Sequence, residues 1–391
     1  MRVMYVDQTG QLGGGELSLL DVIKHSPFHS EIVLFDDGPF RTALEDLNVP
    51  VHLLHGGSLS KVRSETRLKA VLEAGPAFFG LQRRLAKLTA GFDVVYANSQ
   101  KAFLVSAATR RKGQLLIWHL RDMLTADHFS PMMRVIAVEA SNLTASIVIT
   151  NSQATADSFV QCGGKLEKVV VVYNGISPEP FDAVTETMKQ SMLQELGLRG
   201  KYLVGVFGRL SPWKGQHILL EAIASLPYAH AVLVGDALFG EDSYVESLRQ
   251  RAQAPDLEGR VHFLGFRKDV SLLMKCMNII AHTSTSPEPF GRVIVEAMLA
   301  GRPTIASRAG GVLEIVRGNE TGLLVLPGCP LDLSAAIQKY HAHPGLARRI
   351  ADAGRERAIN HFSVHAMADG IEEVLRNCMA REEMPILVDS L

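Results

Sequence analysis

The sequence predicts an α/β fold with two domains, each built on a parallel sheet that is covered by helices on both faces. Apolar, β-branched runs alternate with helical patterns along the whole chain. Within each run the apolar residues are continuous rather than alternating, which is typical of strands buried on both faces of a parallel sheet. The length of 391 residues accommodates two domains with a substantial core each.

The predicted strands fall into two sets on either side of a proline-rich polar connection. The first set is RVMYVD, EIVLF, DVVYA, LLIWHL, SIVIT and KVVVVY, and the second is YLVGVFG, AVLVG, VHFLG, NIIAHT, PTIAS and GLLVL. Between them, VVYNGISPEPFDAV leaves a strand at Tyr173, and we place the hinge near residues 174–179. We therefore expect an N-terminal domain over residues 1–173 and a C-terminal domain over residues 174–362. The C-terminal helical segment, about residues 363–391, is expected to pack back onto the N-terminal domain.

The composition argues against several classes of protein. A formal net charge of −1 gives no reason to expect nucleic acid as a partner. The cysteines form no C-x-x-C pair, so we expect neither a disulfide framework nor a zinc site, which suits a reducing cytoplasm. No run reaches the roughly 18 apolar residues of a membrane span, and MRVMYVDQTG is predicted to be a buried strand rather than a signal peptide.

The stretch SPEPFGRVIVEAMLAGRP places two glutamates around the start of a short helix. Prolines on both sides of Glu288 end the preceding apolar run, so Glu288 is predicted to lie in a loop. The next apolar segment is predicted to form a helix that begins near Phe290 and Gly291, carries Glu296, and ends at a Gly-Arg-Pro sequence. Unpaired N–H groups and the helix dipole at such a start favour an anionic or polyhydroxyl ligand.

A glycine-rich turn, DQTGQLGGGELSLL, follows the first predicted strand. Gly13, Gly14 and Gly15 would let backbone N–H groups approach a phosphate at the start of the next helix, although a plain tight turn also accounts for them. An NAD-binding interpretation, supported by Asp36 after the second strand, is weakened because the spacing G-x-x-G-G-G differs from G-x-G-x-x-G. An NAD-dependent oxidoreductase therefore stays an alternative function.

Two cations follow the first strand of the second set, in VFGRLSPWKGQHILLEA. Arg209 comes directly after the strand, and Lys214 lies at the start of the next helix. Together they could hold a diphosphate, the guanidinium by its fork and the ammonium as a point charge. A solvated surface pair is the alternative. Their place at the carboxyl end of a predicted parallel strand favours ligand binding.

His119, in LLIWHLRD, lies near the end of a buried strand of the first set. Taken alone, a histidine there is more often a hydrogen-bonded core residue than a functional one, and only a position opposite Glu288 would change that interpretation. No D-x-D sequence and no His or Cys cluster with ligand spacing occurs, so no metal ion is expected. Arg209 and Lys214 would then neutralise the negative charge of a departing phosphate.

Several of these sequences, taken in order, resemble a known family. GRLSPWKG, EPFG with a glutamate eight residues after the first, AGRPTIAS, GGVLEIV and TGLLV are similar to motifs of the family 4 retaining glycosyltransferases of the GT-B fold. The similarity is strong over residues 204–325. It is fainter in the first half, where the glycine turn, WHLRD, TNSQAT and VVYNGI fall in the family's order. The resemblance implies two Rossmann-like domains that face a cleft.

The resemblance also implies roles for individual residues. The two cations grip the nucleotide diphosphate, Glu288 binds hydroxyls of the donor sugar, and Glu296 takes the ribose diol. Phe266 and Arg267 correspond to the place where the base is cradled, and His119 lies near the reactive face of the sugar. The implied catalytic residues are Glu288, His119, Arg209 and Lys214, and the implied donor-binding residues are Gly14, Gly15, Arg209, Lys214, Phe266, Arg267, Glu288, Phe290, Gly291 and Glu296. One departure from the family is VLVGDALFG, where a Gly-Pro is common.

The implied reaction is transfer of a hexosyl unit from a nucleoside diphosphate sugar with retained anomeric configuration, without a metal or other cofactor. UDP-glucose or a similar UDP-hexose is preferred as the donor over GDP-mannose. The acceptor is expected to be a saccharide or a lipid-linked saccharide in polysaccharide or glycolipid synthesis. A nucleotide-sugar 2-epimerase, which resembles this fold, is an alternative.

A basic segment with interleaved aromatic residues lies at residues 61–88. It carries seven Lys or Arg against two Glu, with Phe78, Phe79 and Leu81 between them. Such a helix pair can lie on an anionic bilayer and bring a lipid-linked acceptor to the enzyme. An ordinary solvated helix that packs by its apolar face is the alternative. We therefore expect a cytoplasmic protein with a peripheral contact to the inner face of the membrane.

Overall fold

The computed structural model describes residues 1–55, 75–126, 129–237 and 240–383. Contacts within the chain divide it into two compact units. Unit 1 comprises Met1–Gly175 and Val364–Leu391, and unit 2 comprises Ile176–Ser363. The C-terminal helical segment thus belongs to unit 1, and the division falls two residues after the predicted end of the first domain at residue 173.

The strands follow the predicted apolar runs, with one addition. They are β1 (Arg2–Asp7), β2 (His29–Leu34), β3 (Val51–Leu53), β4 (Val94–Ala97), β5 (Leu115–Leu120), β6 (Ile147–Thr150), β7 (Val169–Val171), β8 (Tyr202–Phe207), β9 (Ala229–Val234), β10 (Val261–Gly265), β11 (Ile279–His282), β12 (Thr304–Ser307) and β13 (Leu323–Val325). The added strand is β3, a three-residue edge strand on β2. Its Val-His-Leu sequence is too short to show a periodic pattern.

Helices connect the strands. They are α1 (Gly14–His25), α2 (Pro39–Glu45), α3 (Gly75–Leu88), α4 (Gln100–Ala107), α5 (Pro131–Thr144), α6 (Gln153–Gln161), α7 (Glu179–Asp182), α8 (Glu186–Glu195), α9 (Gln216–Ala224), α10 (Asp242–Ala252), α11 (Val270–Cys276), α12 (Arg292–Leu299), α13 (Val312–Ile315), α14 (Pro330–Ala342), α15 (Pro344–His361) and α16 (Val364–Glu383). Short 3₁₀ turns lie at Thr89–Gly91, Leu166–Lys168 and Pro212–Lys214.

The sheet of unit 1 is parallel and buried on both faces. Its strand order is β3-β2-β1-β4-β5-β6-β7. Successive side chains of a strand point to opposite faces, so Tyr96 lies in one hydrophobic cluster and Val95 in the other. Leu19 of α1 and Met367 of α16 belong to the first cluster, whereas Leu85 of α3 belongs to the second. The continuous apolar strands of the sequence are explained by these two cores.

Unit 2 repeats this layered arrangement. Its parallel sheet has the order β10-β9-β8-β11-β12-β13. On β11, Ile280 packs with Val295 of α12 on one face, and Ile279 packs with Leu219 of α9 and Ile337 of α14 on the other. Two parallel-sheet α/β domains are therefore present, as the sequence predicted.

In each sheet the chain changes the direction in which it adds strands. After β3 it returns to place β4 beside β1, and after β10 it returns to place β11 beside β8. The loops at the carboxyl ends of the two strands diverge at such a point, which is where open α/β sheets bind ligands. Polar residues at the ends of β1 and β4, and of β8 and β11, are therefore the first candidates for a functional site.

Half of the basic segment on which the membrane interpretation depends lies outside the described residues. Residues 61–74 of the basic segment belong to that part of the chain. In α3, Phe79 is 71% exposed, whereas Leu81 and Leu85 are buried in the core of unit 1. Leu81 therefore belongs to the packed face of α3 and not to a face that could contact lipid. Within the described ranges, no helix combines the length and the apolar character needed to cross a bilayer.

Candidate functional site

A buried carboxylate lies in the loop that follows β11. Glu288 is 5% exposed, and its Oε1 accepts hydrogen bonds from the Lys214 ammonium and, at 2.6 Å, from Ser284 Oγ. His282 Nε2, at the end of β11, lies 3.1 Å from the same oxygen. Among the residues that the structure describes, no hydrogen bond uses Oε2 of Glu288. One oxygen is therefore anchored inside unit 2, and the other retains its capacity to accept hydrogen bonds from hydroxyl groups.

The electrostatic surroundings keep Glu288 ionised. Burial alone would raise the pKa of this carboxyl, but the Lys214 ammonium and the contact with His282 outweigh it. Together they hold the pKa of Glu288 well below its usual range. At neutral pH the side chain is therefore a carboxylate that accepts hydrogen bonds and donates none.

The turn that carries Lys214 is attached to the end of β11 by backbone contacts. Thr283 Oγ1 donates to the carbonyl of Lys214 at 2.8 Å, and the Thr285 amide donates to the carbonyl of Trp213 at 2.8 Å. Gly215 closes the turn with φ +69°, and a Cβ there would lie 2.1 Å from the carbonyl oxygen of Thr283. Only glycine fits this conformation and this close approach. These contacts fix the turn after β8 against the end of β11 and thus hold Lys214 beside Glu288.

The loop that carries Glu288 is fixed on its other side by two glycines after β12. Gly310 pairs with Glu288 in an isolated parallel bridge, and the Gly311 amide donates to the Glu288 carbonyl at 2.9 Å. Gly310 has φ +64°, and a Cβ there would lie 2.3 Å from that carbonyl oxygen. The Gly-Gly pair therefore lets the segment before α13 lie directly against the backbone of Glu288.

An aromatic ring lies beside both cations. The Lys214 ammonium is 4.1 Å from the centre of the Trp213 ring, and the Arg209 guanidinium carbon is 5.9 Å from it. Arg209 Nε also lies 3.5 Å from a carboxylate oxygen of Glu241. Both cationic side chains remain partly exposed, 28% for Arg209 and 23% for Lys214. The structure therefore brings the two predicted cations to one ring, and both can reach a ligand.

Helix α12 begins where the sequence predicted it. Gly291 is the N-cap residue with φ +106°, a conformation that favours glycine. The Phe290 side chain is 2% exposed and packs edge-on against Phe362, so its side chain is a core residue. Glu296 lies one turn into α12, where a carboxylate oxygen is 3.8 Å from an Arg292 guanidinium nitrogen. Any ligand that Glu296 binds must therefore share this carboxylate with Arg292.

The predicted base-binding pair is only partly positioned for that role. Arg267 forms a fork with Asp269, with contacts of 2.8 and 2.6 Å, and this hydrogen bonding raises the pKa of Arg267. Its guanidinium is thus committed to a carboxylate two residues away. The Phe266 ring is 70% exposed and is the more accessible member of the pair. A direct contact of Arg267 with a base stays a prediction that this geometry does not favour.

His119 lies inside unit 1. It is fully buried, and its Nδ1 is hydrogen-bonded to the Tyr96 hydroxyl. Burial, and secondly the positive charge of Arg121, lowers the pKa of His119 well below its usual value, so the ring is neutral. Nε2 has no hydrogen-bond partner among the described residues. These contacts fit a core histidine, and the catalytic role of His119 stays a prediction.

The glycine-rich turn leads directly into α1. Gly14 and Gly15 are the first two residues of the helix, and Gly13 is its N-cap. Glu16 folds back so that its Oε2 accepts a hydrogen bond from the Gly13 amide at 3.0 Å. Burial first, and then the nearby charge of Asp7, raises the pKa of Glu16 to about 7. The turn therefore already satisfies one of its amides with its own carboxylate.

Sequence reasoning did not identify a buried polar cluster at the carboxyl end of the sheet in unit 1. Its members are Asp7, Asn98 and Arg121, which end or follow β1, β4 and β5. The signal was present, because YVD, YAN and HLRD each place a polar residue directly after a buried strand. In unit 2, His282 and Ser284 were likewise not identified as partners of Glu288. Within the described ranges, no group of His, Cys, Asp or Glu side chains is arranged to hold a metal ion.

Comparisons with known proteins agree with this geometry. The family described as "Glycosyl transferases group 1" matches residues 188–357, and "Glycosyl transferase 4-like domain" matches residues 25–175. Together the two matches span most of both units.

Solved structures and curated proteins give the same result. The crystal structure of Anabaena HepE in complex with UDP-glucose has a TM-score of 0.87 and 38% identity, and the alignment covers 96% of this chain and 100% of that one. The lipopolysaccharide core biosynthesis glycosyltransferase LpsE of Rhizobium meliloti is 33% identical over 43% of this chain and 48% of its own length. The α-1,3/1,6-mannosyltransferase ALG2 of Homo sapiens is 29% identical over 71% of each chain.

This chain thus spans about half of the length of LpsE, and its alignment with HepE covers the whole of that chain. A relative above 30% identity that is aligned over almost its whole length establishes family membership. The chain belongs to the family 4 glycosyltransferases of the GT-B fold and is a hexosyltransferase, which confirms the family, the fold class and the enzyme class predicted from its sequence.

Proposed function

We propose that this protein transfers a hexosyl unit from UDP-glucose, or a similar UDP-hexose, to a saccharide or lipid-linked saccharide, with retention at the anomeric carbon. The observation that carries the proposal is the arrangement after β8 and β11, where Arg209 and Lys214 lie beside Trp213 and Lys214 contacts Glu288. Two cations next to a carboxylate that can accept from hydroxyl groups suit a diphosphate joined to a sugar.

The choice of donor rests on the relatives. Structures of Anabaena HepE, which is 38% identical, contain UDP and UDP-glucose. GDP-mannose is the second candidate, because ALG2 is a mannosyltransferase. The family assignment gives no support to an epimerase or to an NAD-dependent oxidoreductase. Asp36, which together with the glycine-rich turn supported the NAD interpretation, is an exposed residue after β2.

Arg209 and Lys214 are proposed to stabilise the leaving diphosphate. A unit charge at about 4 Å in a medium of effective dielectric about 20 is worth about 4 kcal/mol before desolvation. Halved for desolvation, each cation supplies about 2 kcal/mol, which is about 30-fold in rate. Because the charges of both side chains act on groups of the same molecule, we propose that no metal ion is needed.

Glu288 and Glu296 are proposed to bind two parts of one donor. Glu288 Oε2 accepts from hydroxyls of the sugar, and Glu296 accepts from the ribose diol. Retaining hydrolases use two carboxylates about 5 Å apart as acid and nucleophile. The ion pair with Lys214 keeps Glu288 ionised, so Glu288 cannot act as the acid of such a pair. We therefore assign both glutamates to binding of the donor. The departing phosphate then takes the proton of the acceptor hydroxyl on the same face of the sugar.

The acceptor and the location are also proposals. LpsE acts in lipopolysaccharide core biosynthesis, which supports a saccharide acceptor in polysaccharide or glycolipid synthesis. The cysteines are free thiols, one each at Cys162, Cys276, Cys329 and Cys378, which supports a reducing cytoplasm. A peripheral contact of residues 61–88 with the inner face of a membrane is supported by the basic composition and by the exposed Phe79.

A donor screen tests the proposal. UDP-glucose, UDP-galactose, GDP-mannose and ADP-glucose are incubated with the enzyme in the presence of EDTA, with and without saccharide acceptors, and release of free nucleoside diphosphate is measured. We expect turnover with a UDP-hexose, and NMR of the early product should show the anomeric configuration of the donor. Release from none of these donors, release only after a divalent metal is restored, or an inverted product would contradict the corresponding part of the proposal.

A further inference from the structure

Unit 1 contains a buried hydrogen-bond network that joins the glycine-rich turn to the segment at Asn174, where the chain leaves the unit. Its centre is Arg121, which is 8% exposed and directly follows β5. Arg121 Nε donates to Asn98 Oδ1 at 2.7 Å, and Asn98 Nδ2 donates to Asp7 Oδ2 at 2.6 Å. Through these contacts the guanidinium is linked to the ends of β4 and β1, where the chain changes the direction in which it adds strands to the sheet of unit 1.

The same guanidinium contacts the first helix and the last residues of the first segment of unit 1. Arg121 Nη1 donates to Ser18 Oγ on α1 and to Asn174 Oδ1, both at 2.8 Å. Ser18 Oγ in turn donates to Asn174 Oδ1 at 2.9 Å. All three side chains are buried. One nitrogen therefore holds α1 and the segment at Asn174 in a closed triangle of hydrogen bonds.

The triangle lies next to the points where the chain leaves and re-enters unit 1. Asn174 precedes Gly175, the last residue of unit 1 before unit 2 begins at Ile176. The Gly175 amide contacts Met367 Sδ at 3.1 Å, and Ser18 Oγ lies 3.5 Å from the same sulfur. Met367 belongs to α16, the helix with which the chain returns. The network thus touches both connections.

The glycine-rich turn is held by the same group. A Cβ on Gly15 would lie 3.5 Å from Cδ of Arg121, and the carbonyl of Gly15 is 3.5 Å from Asn98 Nδ2. The start of α1 therefore lies directly on the Arg121 side chain. A shift of this arginine would move the turn and the segment at Asn174 together.

We propose that Arg121 is a positioning residue that couples the glycine-rich turn at Gly13–Glu16 to the chain connection at Asn174–Gly175. Through this coupling the turn takes its position for transfer only when the connection is in place. The inference rests on the proposed function, because it takes Gly14 and Gly15 of the turn to meet the substrates of transfer, as the resemblance to the family implies. It differs from a simple stabilising role, because the two ends of the network must respond to each other.

The inference is tested by removing one side chain of the triangle and measuring hydrogen exchange at the segment that carries the other. Ser18→Ala removes the contact on α1, and Asn174→Ala removes the contact at the connection. Hydrogen exchange of the full-length protein is followed at residues 13–17 and 172–176. We expect each variant to speed exchange by about tenfold or more at both segments, because opening of one now opens the other. Faster exchange at the mutated segment alone would overturn the coupling.

Ser141→Ala is the matched control for Ser18→Ala. Ser141 is a fully buried helical serine of the same unit whose hydroxyl has no hydrogen-bond partner among the described residues. Its removal should leave exchange at both segments and transfer unchanged. Arg121→Lys keeps the positive charge but loses the planar guanidinium group and its several N–H donors. It should therefore show faster exchange at both segments, as Ser18→Ala and Asn174→Ala do.

Transfer and donor binding separate this inference from the proposed function. With UDP-glucose, Asn174→Ala should lower kcat by about tenfold, the effect of about 1.4 kcal/mol. Its Kd for UDP, measured by calorimetry, should change far less than kcat, because Arg209, Lys214 and Glu288 lie in unit 2. An unchanged kcat together with coupled exchange would limit Arg121 to a structural role and overturn its positioning role. Failure of the wild-type protein to bind UDP would instead contradict the proposed donor and leave the exchange test intact.

Discussion

The Lys214 ammonium donates a hydrogen bond to Oε1 of Glu288, although the two residues are 74 positions apart in the sequence. The contact is an ion pair in a partly buried place, with Lys214 23% exposed and the Glu288 side chain 6% exposed. Lys214 lies in the loop after β8 and Glu288 in the loop after β11. These two loops follow neighbouring strands of the sheet and diverge from each other. The pair therefore marks the position in unit 2 where a cation and a hydroxyl-accepting carboxylate meet.

Glu288→Gln should abolish transfer while nucleotide binding survives. Glutamine keeps an oxygen that can accept from Lys214 and Ser284, but it loses the charge that makes Oε2 a strong acceptor for sugar hydroxyls. We expect kcat to fall by about 100-fold or more, since two charge-assisted hydrogen bonds contribute roughly 1.5–3 kcal/mol each. The Kd for UDP, measured by calorimetry, should stay the same or fall, because Lys214 loses its internal counter-charge. Near-normal turnover would show that Glu288 does not bind the sugar. The control is Glu320→Gln, the same substitution at an exposed position, which should leave kcat unchanged.

Removal of the cations should lower the rate in two similar steps. Arg209→Gln and Lys214→Met are each expected to reduce kcat by about 30-fold, and the double variant by about a thousandfold, from about 2 kcal/mol per cation. Steady-state kinetics with the donor found in the screen provide the measurement. Lys112→Met, at an exposed lysine of unit 1, should leave kcat unchanged. A single variant with wild-type kcat would remove that cation from the reaction.

The glycines behind the Glu288 loop allow a controlled comparison. Gly310→Ala forces a Cβ to within 2.3 Å of the Glu288 carbonyl oxygen at φ +64°. Gly328 has a similar φ of +70°, but a Cβ there meets nothing within 4 Å. Gly328→Ala should therefore cost only backbone strain, roughly 1 kcal/mol of unfolding free energy, and leave transfer intact. Gly310→Ala should cost more and lower kcat at least about tenfold, because the loop must move. Equal effects of the two variants on unfolding and on kcat would contradict the proposed support of Glu288 by Gly310.

Much of the fold followed from the sequence because its signals are local. Continuous apolar runs predict buried parallel strands wherever they are long enough, which is why β3 alone, with three residues, was missed. The placement of Arg209, Lys214 and Glu288 at the ends of strands also followed, because parallel strands bring their carboxyl ends to one edge of the sheet.

The side-chain partners could not be predicted in the same way. The contact of Glu288 with His282 and the fork between Arg267 and Asp269 depend on rotamers that no spacing fixes. Arg121 illustrates the limit most clearly. This arginine lies in the sequence WHLRD, yet its partners Ser18 and Asn174 are 103 and 53 residues away, so only the tertiary structure shows these contacts.

Asp7 should make the stability of unit 1 depend on pH. Burial raises the pKa of Asp7 to about 6, against about 3.9 for an unfolded chain. The folded state therefore holds this proton more tightly than the unfolded state, so the free energy of unfolding should fall as pH rises from about 4 to about 6. Asp7→Asn stays neutral and should lose this slope. The slope caused by Glu16, whose pKa is about 7, should persist in reduced form, because removal of the Asp7 charge relieves part of its shift.

The chain offers a direct optical measurement of this effect. It contains two tryptophans, Trp118 in the core of unit 1 and Trp213 in unit 2. In a Trp213→Phe background the fluorescence of Trp118 reports the urea unfolding of unit 1 alone, at pH values from 4 to 7.5. We expect the free energy of unfolding of wild-type Asp7 to fall relative to Asp7→Asn by on the order of 2 kcal/mol over this range, since one pKa unit corresponds to about 1.4 kcal/mol. Parallel pH dependence of the two proteins would show that Asp7 titrates normally and that its burial is compensated by Asn98 and Arg121.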